Sequence, residues 1–265
     1  MTTITTTGAG LGVEGGLCSA GVNSGLVACW DTGAGATYPG PPETATTWQD
    51  VIGGLMGTIS CTDNFDTANG GSLIFDGVDD IVSVPNNDAF NPADDGDMTV
   101  CVWFKPATTS LTGVQRVVNT FGAGAWNSYA GWNMRIKKGT GWYVQGTGVA
   151  DAAQSVKINN SGTEYAFDAW YLYSMVWDAG TKLTVYVDTT ENANVTSGTD
   201  TIDDIGNALP LQLGGTTYSN GSATGGNPTN EFQGQIASVQ IYNTALSSAN
   251  ITTNYNAAKT RFGKS

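Results

Sequence analysis

Gly70-Gly-Ser-Leu-Ile-Phe-Asp-Gly-Val-Asp-Asp-Ile-Val-Ser-Val-Pro85, followed by Met98-Thr-Val-Cys-Val-Trp-Phe-Lys-Pro106, decides the class of this chain. In the first stretch two apolar runs, 72–75 and 81–84, flank Asp76-Gly-Val-Asp-Asp80, which is the pattern strand, tight turn, strand. Gly77 supplies the permissive backbone, and the aspartates can hydrogen-bond local amides. In the second stretch Met98, Val100, Val102 and Phe104 alternate with Thr99, Cys101 and Trp103, so one strand shows two distinct faces.

The same texture continues in both directions. Short β-type runs fall at 26–30, 115–121, 131–136, 141–145, 155–159, 209–213 and 235–242, separated by Gly, Asn, Asp and Pro clusters. Residues 170–177 are almost continuously apolar and aromatic, which predicts a strand covered on both faces. In 182–188, Leu183, Val185 and Val187 point inward and Tyr186 outward. One short helix is expected near the end, capped by Ser247 or Ser248 and running through Ile251, Tyr255 and Ala258, with Leu246 helping it to plug an open end. The expected fold is all-β: an antiparallel two-sheet β-sandwich of jelly-roll type with a short C-terminal helix. Residues 1–24, rich in Thr, Gly and Ala without a period, read as an extended arm, and 25–265 as one domain.

Composition supports a large core and removes several functions. Of 265 residues 40 % are hydrophobic, with eight Trp and ten Tyr, and the 36 glycines serve as turn material. There is no histidine, so no Ser-His-Asp or Cys-His site and no His-ligated zinc. Ten basic against 23 acidic residues give a formal charge of −13, which argues against nucleic acid and against anionic membrane surfaces. No apolar run is long enough to span a membrane, and Met1-Thr-Thr-Ile-Thr-Thr-Thr-Gly lacks signal-peptide features, so the expected place of synthesis is a host cytoplasm. In that compartment Cys18, Cys29, Cys61 and Cys101, which follow no metal spacing, are expected to be reduced and buried, and the sequons at Asn194 and Asn250 have no role.

Three groups of motifs carry a family resemblance. They are Gly25-Leu-Val-Ala-Cys-Trp-Asp-Thr-Gly with Tyr38-Pro-Gly and Thr46-Thr-Trp-Gln-Asp50; the two stretches quoted above; and Phe232-Gln-Gly-Gln-Ile-Ala-Ser-Val-Gln-Ile-Tyr-Asn-Thr-Ala-Leu-Ser247, leading into Asn254-Tyr-Asn-Ala-Ala-Lys-Thr-Arg-Phe-Gly263. Over residues 25–263 the chain resembles laminin-G-like, concanavalin-A-like jelly-roll domains. The Tyr-Asn…Arg-Phe-Gly ending is similar to that of virion structural proteins of bacteriophages, marine ones especially. The resemblance implies a non-enzymatic virion component: a capsid decoration, head fibre or tail appendage. Its partners would be copies of itself and other virion proteins, with the arm adding a strand to a neighbour's sheet edge. The alternative is a carbohydrate-binding lectin module for host-surface polysaccharide.

Three chemistries make definite demands on these residues. Glycoside hydrolysis needs two carboxylates roughly 5–9.5 Å apart. The jelly-roll glucanases carry them as Glu-x-Asp-x-Glu or Glu-x-Asp-x-x-Glu, and here Glu14, Glu43, Glu164, Glu191 and Glu231 lie far apart in sequence. Asp76, Asp79 and Asp80, and Asp94, Asp95 and Asp97, could ligate Ca²⁺ or simply cap turns. The acidic pair that the family often has after the final Gly-x-Ile is replaced by Ala237 and Ser238. Trp126, Tyr129, Trp132, Trp142 and Tyr143 could stack on sugar rings or belong to the core, and the polar segment 218–227 suits exposed contact.

Overall fold

The structure is a computed structural model that describes residues 16–34, 46–60, 65–92, 96–108, 113–120, 131–149, 155–158, 163–196, 208–219, 222–223 and 230–265. In chain order the elements are α1 (Leu17–Ala20), β1 (Leu26–Asp31), β2 (Thr47–Gln49), β3 (Met56–Ile59), β4 (Phe65–Asp66), β5 (Ser72–Asp76) and β6 (Val82–Val84). Then come β7 (Met98–Pro106), β8 (Val114–Asn119), β9 (Gly131–Lys138), β10 (Trp142–Val149), β11 (Ser155–Ile158) and β12 (Tyr171–Asp178). The last are β13 (Lys182–Val187), β14 (Thr190–Thr196), β15 (Leu211–Leu213), β16 (Tyr218–Ser219), β17 (Ser222–Ala223), β18 (Gln233–Tyr242) and α2 (Ser248–Ala258).

Two eight-stranded antiparallel sheets face each other. Sheet I is ordered β14-β13-β12-β7-β18-β5-β4, with β1 beside the later part of β18, and sheet II is ordered β11-β10-β9-β8-β15-β6-β3-β2. The long strand β18 joins three partners: β7 along one side, and β5 then β1 along the other. The alternation read in β7 holds. Met98, Val100, Val102 and Phe104 enter the core between the sheets, with Phe75, Trp132, Met134, Val144 and Trp177.

The other half of that alternation produces a second core. Cys101, Trp103, Leu172, Val176 and Tyr242 point out of sheet I and are covered by Leu246, Ile251, Ala258, Phe262 and Leu17. Trp103 stacks on Phe262 at 4.3 Å between ring centroids. Here the structure corrects the expectation: Leu246 and α2 do not plug an end of the sandwich but roof the outer face of sheet I. The reason is that these strands are apolar on both sides, and leaving such side chains in water would forfeit roughly 1.5–3 kcal/mol each. Ser247 is the cap, its hydroxyl accepting the Asn250 N–H.

Part of the expected arm is fastened to this roof. The Leu17 N–H donates to Asp31 Oδ2 at 2.7 Å and the Val22 N–H to Asn254 Oδ1 at 2.8 Å. Residues 1–15 lie outside the described residues. Docking α1 against β1 brings Cys18 to Cys29, and the two form a disulfide with a Cα–Cα separation of 5.7 Å. The expectation of four reduced cysteines is therefore corrected. Cys101 is a free, buried thiol whose pKa burial pushes up to about 11, and Cys61 is outside the described residues.

Candidate functional site

Sheet II is where the two faces differ most. Its inner face carries Val118, Trp132, Met134, Ile136, Trp142, Val144, Leu211 and Leu213, all in the core. Because side chains alternate along a strand, their sequence neighbours face the other way. The register then lines up Lys157, Thr147, Asn133, Asn119, Gln212, Ser83, Thr58 and Thr47 as cross-strand neighbours, one from each of the eight strands. Every member of that row is polar. Beside it runs a shorter row, Gln145, Arg135 and Arg116, and beyond that Tyr143 opposite Lys137.

The middle of this face is shielded and its margins are open. Asn119, Asn133, Arg135, Gln145, Thr147 and Gln212 are buried, Tyr143 and Lys157 are half-buried, and Lys137 is exposed. Several polar groups satisfy one another: Arg116 Nη1 donates to Asn119 Oδ1, and Asn119 Nδ2 donates to the carbonyls of Gln212 and Gly215. Two do not. Asn133 Oδ1 and Thr147 Oγ1, adjacent across β9 and β10, have no hydrogen-bond partner among the described residues. Leaving a buried polar atom unsatisfied costs about 1–3 kcal/mol, so such a pair marks a place where a polar ligand would be rewarded. Burial lowers the pKa of Arg116 to about 10, and burial plus the charge of Arg116 lowers that of Arg135 to about 9; both remain cationic at neutral pH.

The acidic turn forms a second cluster. One carboxylate oxygen from each of Asp76, Asp79 and Asp80 lies within 4.8 Å of the others. Gly77 takes a φ of 79° to close the turn. Asp76 Oδ1 accepts the N–H groups of Val78 and Asp79 at 2.7 and 3.3 Å, and Asp80 Oδ2 accepts the Asp76 N–H at 2.8 Å. Burial, reinforced by the charges of Asp76 and Asp79, raises the Asp80 carboxyl to about 6. These are oxygens that can hold a cation, and they already cap the turn. Asp97 caps another turn, accepting the Ala179 N–H at 3.0 Å, while Asp94 and Asp95 are outside the described residues.

The aromatic candidates separate. Trp132 and Trp142 point into the core between the sheets, away from the outer face, and present no ring face to a sugar, which corrects their proposed stacking role. Both lie on the inner face: Trp132 Nε1 donates to the Phe90 carbonyl, and Trp142 packs edge-on against Phe104 and Tyr171. Tyr143 sits on the outer face beside Lys137, and Trp126 and Tyr129 are outside the described residues. The polar row itself was missed in the sequence. Its signal is present in Gly131-Trp-Asn-Met-Arg-Ile136, where Asn133 and Arg135 alternate with Trp132, Met134 and Ile136.

Comparison with known proteins establishes the class. The family described as the concanavalin A-like lectin/glucanases superfamily matches residues 76–252, well over half of the chain, and the chain belongs to that family. No curated protein matches the sequence. Among solved structures, the binding domain of Paraclostridial Mosquitocidal Protein 1 aligns with a TM-score of 0.63 at 13 % identity, over 91 % of this chain and 55 % of that one. The binding domain of botulinum neurotoxin serotype G aligns with a TM-score of 0.60 at 11 % identity, over 87 % of this chain and 50 % of that one. A Trypanosoma rangeli sialidase mutant displaying trans-sialidase activity aligns with a TM-score of 0.57 at 15 % identity, over 91 % of this chain and 34 % of that one. This chain thus spans about half or less of the solved chains it resembles.

These matches correct the functional expectation. The solved structures reported above are named as binding domains of a mosquitocidal protein and a neurotoxin and as a sialidase, not as capsid decorations, head fibres or tail appendages. The expected bacteriophage role, virion-protein partners and virion localisation are corrected by the same finding.

Proposed function

We propose that the chain is a non-catalytic carbohydrate-binding module that takes glycan on the outer face of sheet II, entering from the Tyr143–Lys137 margin. The observation that carries this reading is the eight-strand polar row, shielded at Asn133 and Thr147 and open at its Tyr143–Lys137 margin. Sugars are recognised by planar polar groups and hydroxyls acting cooperatively, with an aromatic ring against the apolar side of the pyranose. This face offers amides, hydroxyls and two guanidiniums, and Tyr143 at its open end. The widely spaced glutamates fit binding better than hydrolysis. The toxin and sialidase matches support the same reading, since two of them are named as binding domains.

In this reading the acidic turn holds Ca²⁺, a hard cation suited to carboxylate oxygens, and the ion would steady the β5–β6 turn rather than take part in chemistry. The disulfide between Cys18 and Cys29 favours an oxidising location outside a cytosol. The acting unit is residues 25–265 together with the fastened segment 16–24.

A glycan array probed with the purified chain tests the reading. Binding to a defined glycan set that falls at least tenfold in Tyr143→Ala and Arg135→Met supports it. An array silent for the folded wild-type chain, with and without Ca²⁺, overturns it.

A further inference from the structure

On the opposite sheet, between the outer face of sheet I and the start of α2, lies a cavity of about 330 Å³ that the reading above does not use. Its floor is built from β12 and β13, where Val176 stands opposite Thr184 and Asp178 opposite Lys182. One side is closed by Tyr186 with Glu191 of β14, and the other by Leu246 and Ser248 at the first turn of α2.

Two independent features there call for a hydrogen-bonding occupant. Thr184 is 1 % exposed, lies on the outward side of its strand and lines the cavity, yet its Oγ1 has no hydrogen-bond partner. The first turn of an α-helix also leaves amide donors unused. Ser247 Oγ serves the Asn250 N–H, so the Ser248 N–H at the cavity wall is not satisfied by that cap. We propose that this cavity is a second binding site, specific for a single neutral sugar residue of hexose or N-acetylhexosamine type.

The chemistry of the walls selects that class. Lys182, the Ser248 amide and Thr184 donate, and Asp178 and Thr184 accept, so hydroxyls of both senses are matched around one ring. Val176, Leu246 and the Tyr186 ring supply an apolar patch for the hydrogen-bearing side of a pyranose. Glu191 is already engaged by the Tyr186 hydroxyl and the Asn194 amide, so it offers little to an ammonium group. One lysine against Asp178 and Glu191 leaves no positive charge to hold an anion. The volume is at the small end of ligand sites, which run from roughly 300 to 1,000 Å³, and suits one sugar residue rather than a chain.

The site stands apart from sheet II, and the two are separable by experiment. The isotope-labelled chain is titrated with glucose, galactose, mannose and N-acetylglucosamine, following backbone amide shifts, and with glycine and alanine as zwitterionic controls. The expected result is saturable movement of the Thr184, Lys182 and Ser248 amides with at least one sugar and none with the amino acids. Thr184→Val should weaken that sugar roughly three- to tenfold, the value of one hydrogen bond, while the protein melts no lower because an unsatisfied buried hydroxyl is gone. Ser248→Pro, tolerated at the first position of a helix, removes the amide donor together with the hydroxyl and should weaken the same sugar similarly, whereas Ser248→Ala, which loses the hydroxyl alone, should not. Neither Thr184→Val nor Ser248→Pro should alter array binding attributed to sheet II, and Arg135→Met should leave this site intact. Movement with the amino acids alone, no movement with any sugar, or unchanged affinity in both variants overturns the proposal.

Discussion

Arg116 and Arg135 stand opposite each other on β8 and β9, both buried on the outward side of sheet II. Two like charges held together out of water are an arrangement that stability alone does not favour. Burial lowers both pKa values, and for Arg135 the charge of Arg116 lowers it further. Their neighbours across the strands are amides and hydroxyls, the side chains that bind polyhydroxylated ligands.

Replacing Arg135 with methionine keeps the unbranched stem of the side chain and removes the charged guanidinium. Glycan affinity should fall at least tenfold while the thermal midpoint stays level or rises, because the desolvation cost goes with the charge. Calorimetric titration with the best array ligand, alongside a melting curve, checks both halves.

The Cys18–Cys29 bridge, 11 residues apart in sequence, should contribute about 2–4 kcal/mol by restricting the unfolded chain. Urea unfolding with and without a reductant measures it. Alkylation of the native protein should leave Cys101 unlabelled at pH 8, since it is buried and its thiol titrates near 11.

Asp80 predicts a pH dependence of definite sign. Its carboxyl titrates near 6 in the fold against 3.8 when free, so the folded chain keeps a proton that the unfolded chain releases. The stability from that proton is complete below pH 3.8 and is lost as the pH rises through 6. Comparing wild type with Asp80→Asn between those values isolates the effect, and the variant should show the shallower decline. Added Ca²⁺ should raise the melting temperature of the wild type above pH 6 and not that of the variant.

The Arg261 guanidinium donates to buried Asp31 Oδ1 at 2.6 Å and also to the Gly71 carbonyl. Through Asp31, which accepts the Leu17 N–H as well, it ties the end of the chain to its beginning. Arg261→Ala should cost about 2–3 kcal/mol, below a fully buried pair because the guanidinium is 17 % exposed. Denaturant unfolding provides the value.

Much of the fold was legible because its strands repeat with period two. Met98 to Phe104 and Leu183 to Val187 placed their inward residues correctly, and Ser247 proved to be the helix cap. Short strands such as Thr47–Gln49 were not separable from loops, because three residues carry no period. The roof over sheet I was misplaced because an apolar outward residue such as Trp103 does not say what covers it. The site was harder to read still. Trp132 and Trp142 drew attention as aromatics, although aromatic rings fill cores as readily as they stack on sugars. The polar row joins residues from Thr47 to Gln212, and only the register of eight strands brings them side by side. The Cys18–Cys29 pairing was hidden for the same reason, since it depends on α1 docking beside β1.

The central claim is that glycan occupies the outer face of sheet II. Mapping amide shifts while the best array ligand is titrated into the labelled chain tests it most directly. The account predicts that the largest changes cluster at Asn133, Arg135, Tyr143, Gln145 and Thr147, and that Arg135→Met moves their midpoint to at least tenfold higher ligand. Saturable binding whose shifts lie entirely elsewhere, with that variant binding as tightly as wild type, would contradict it.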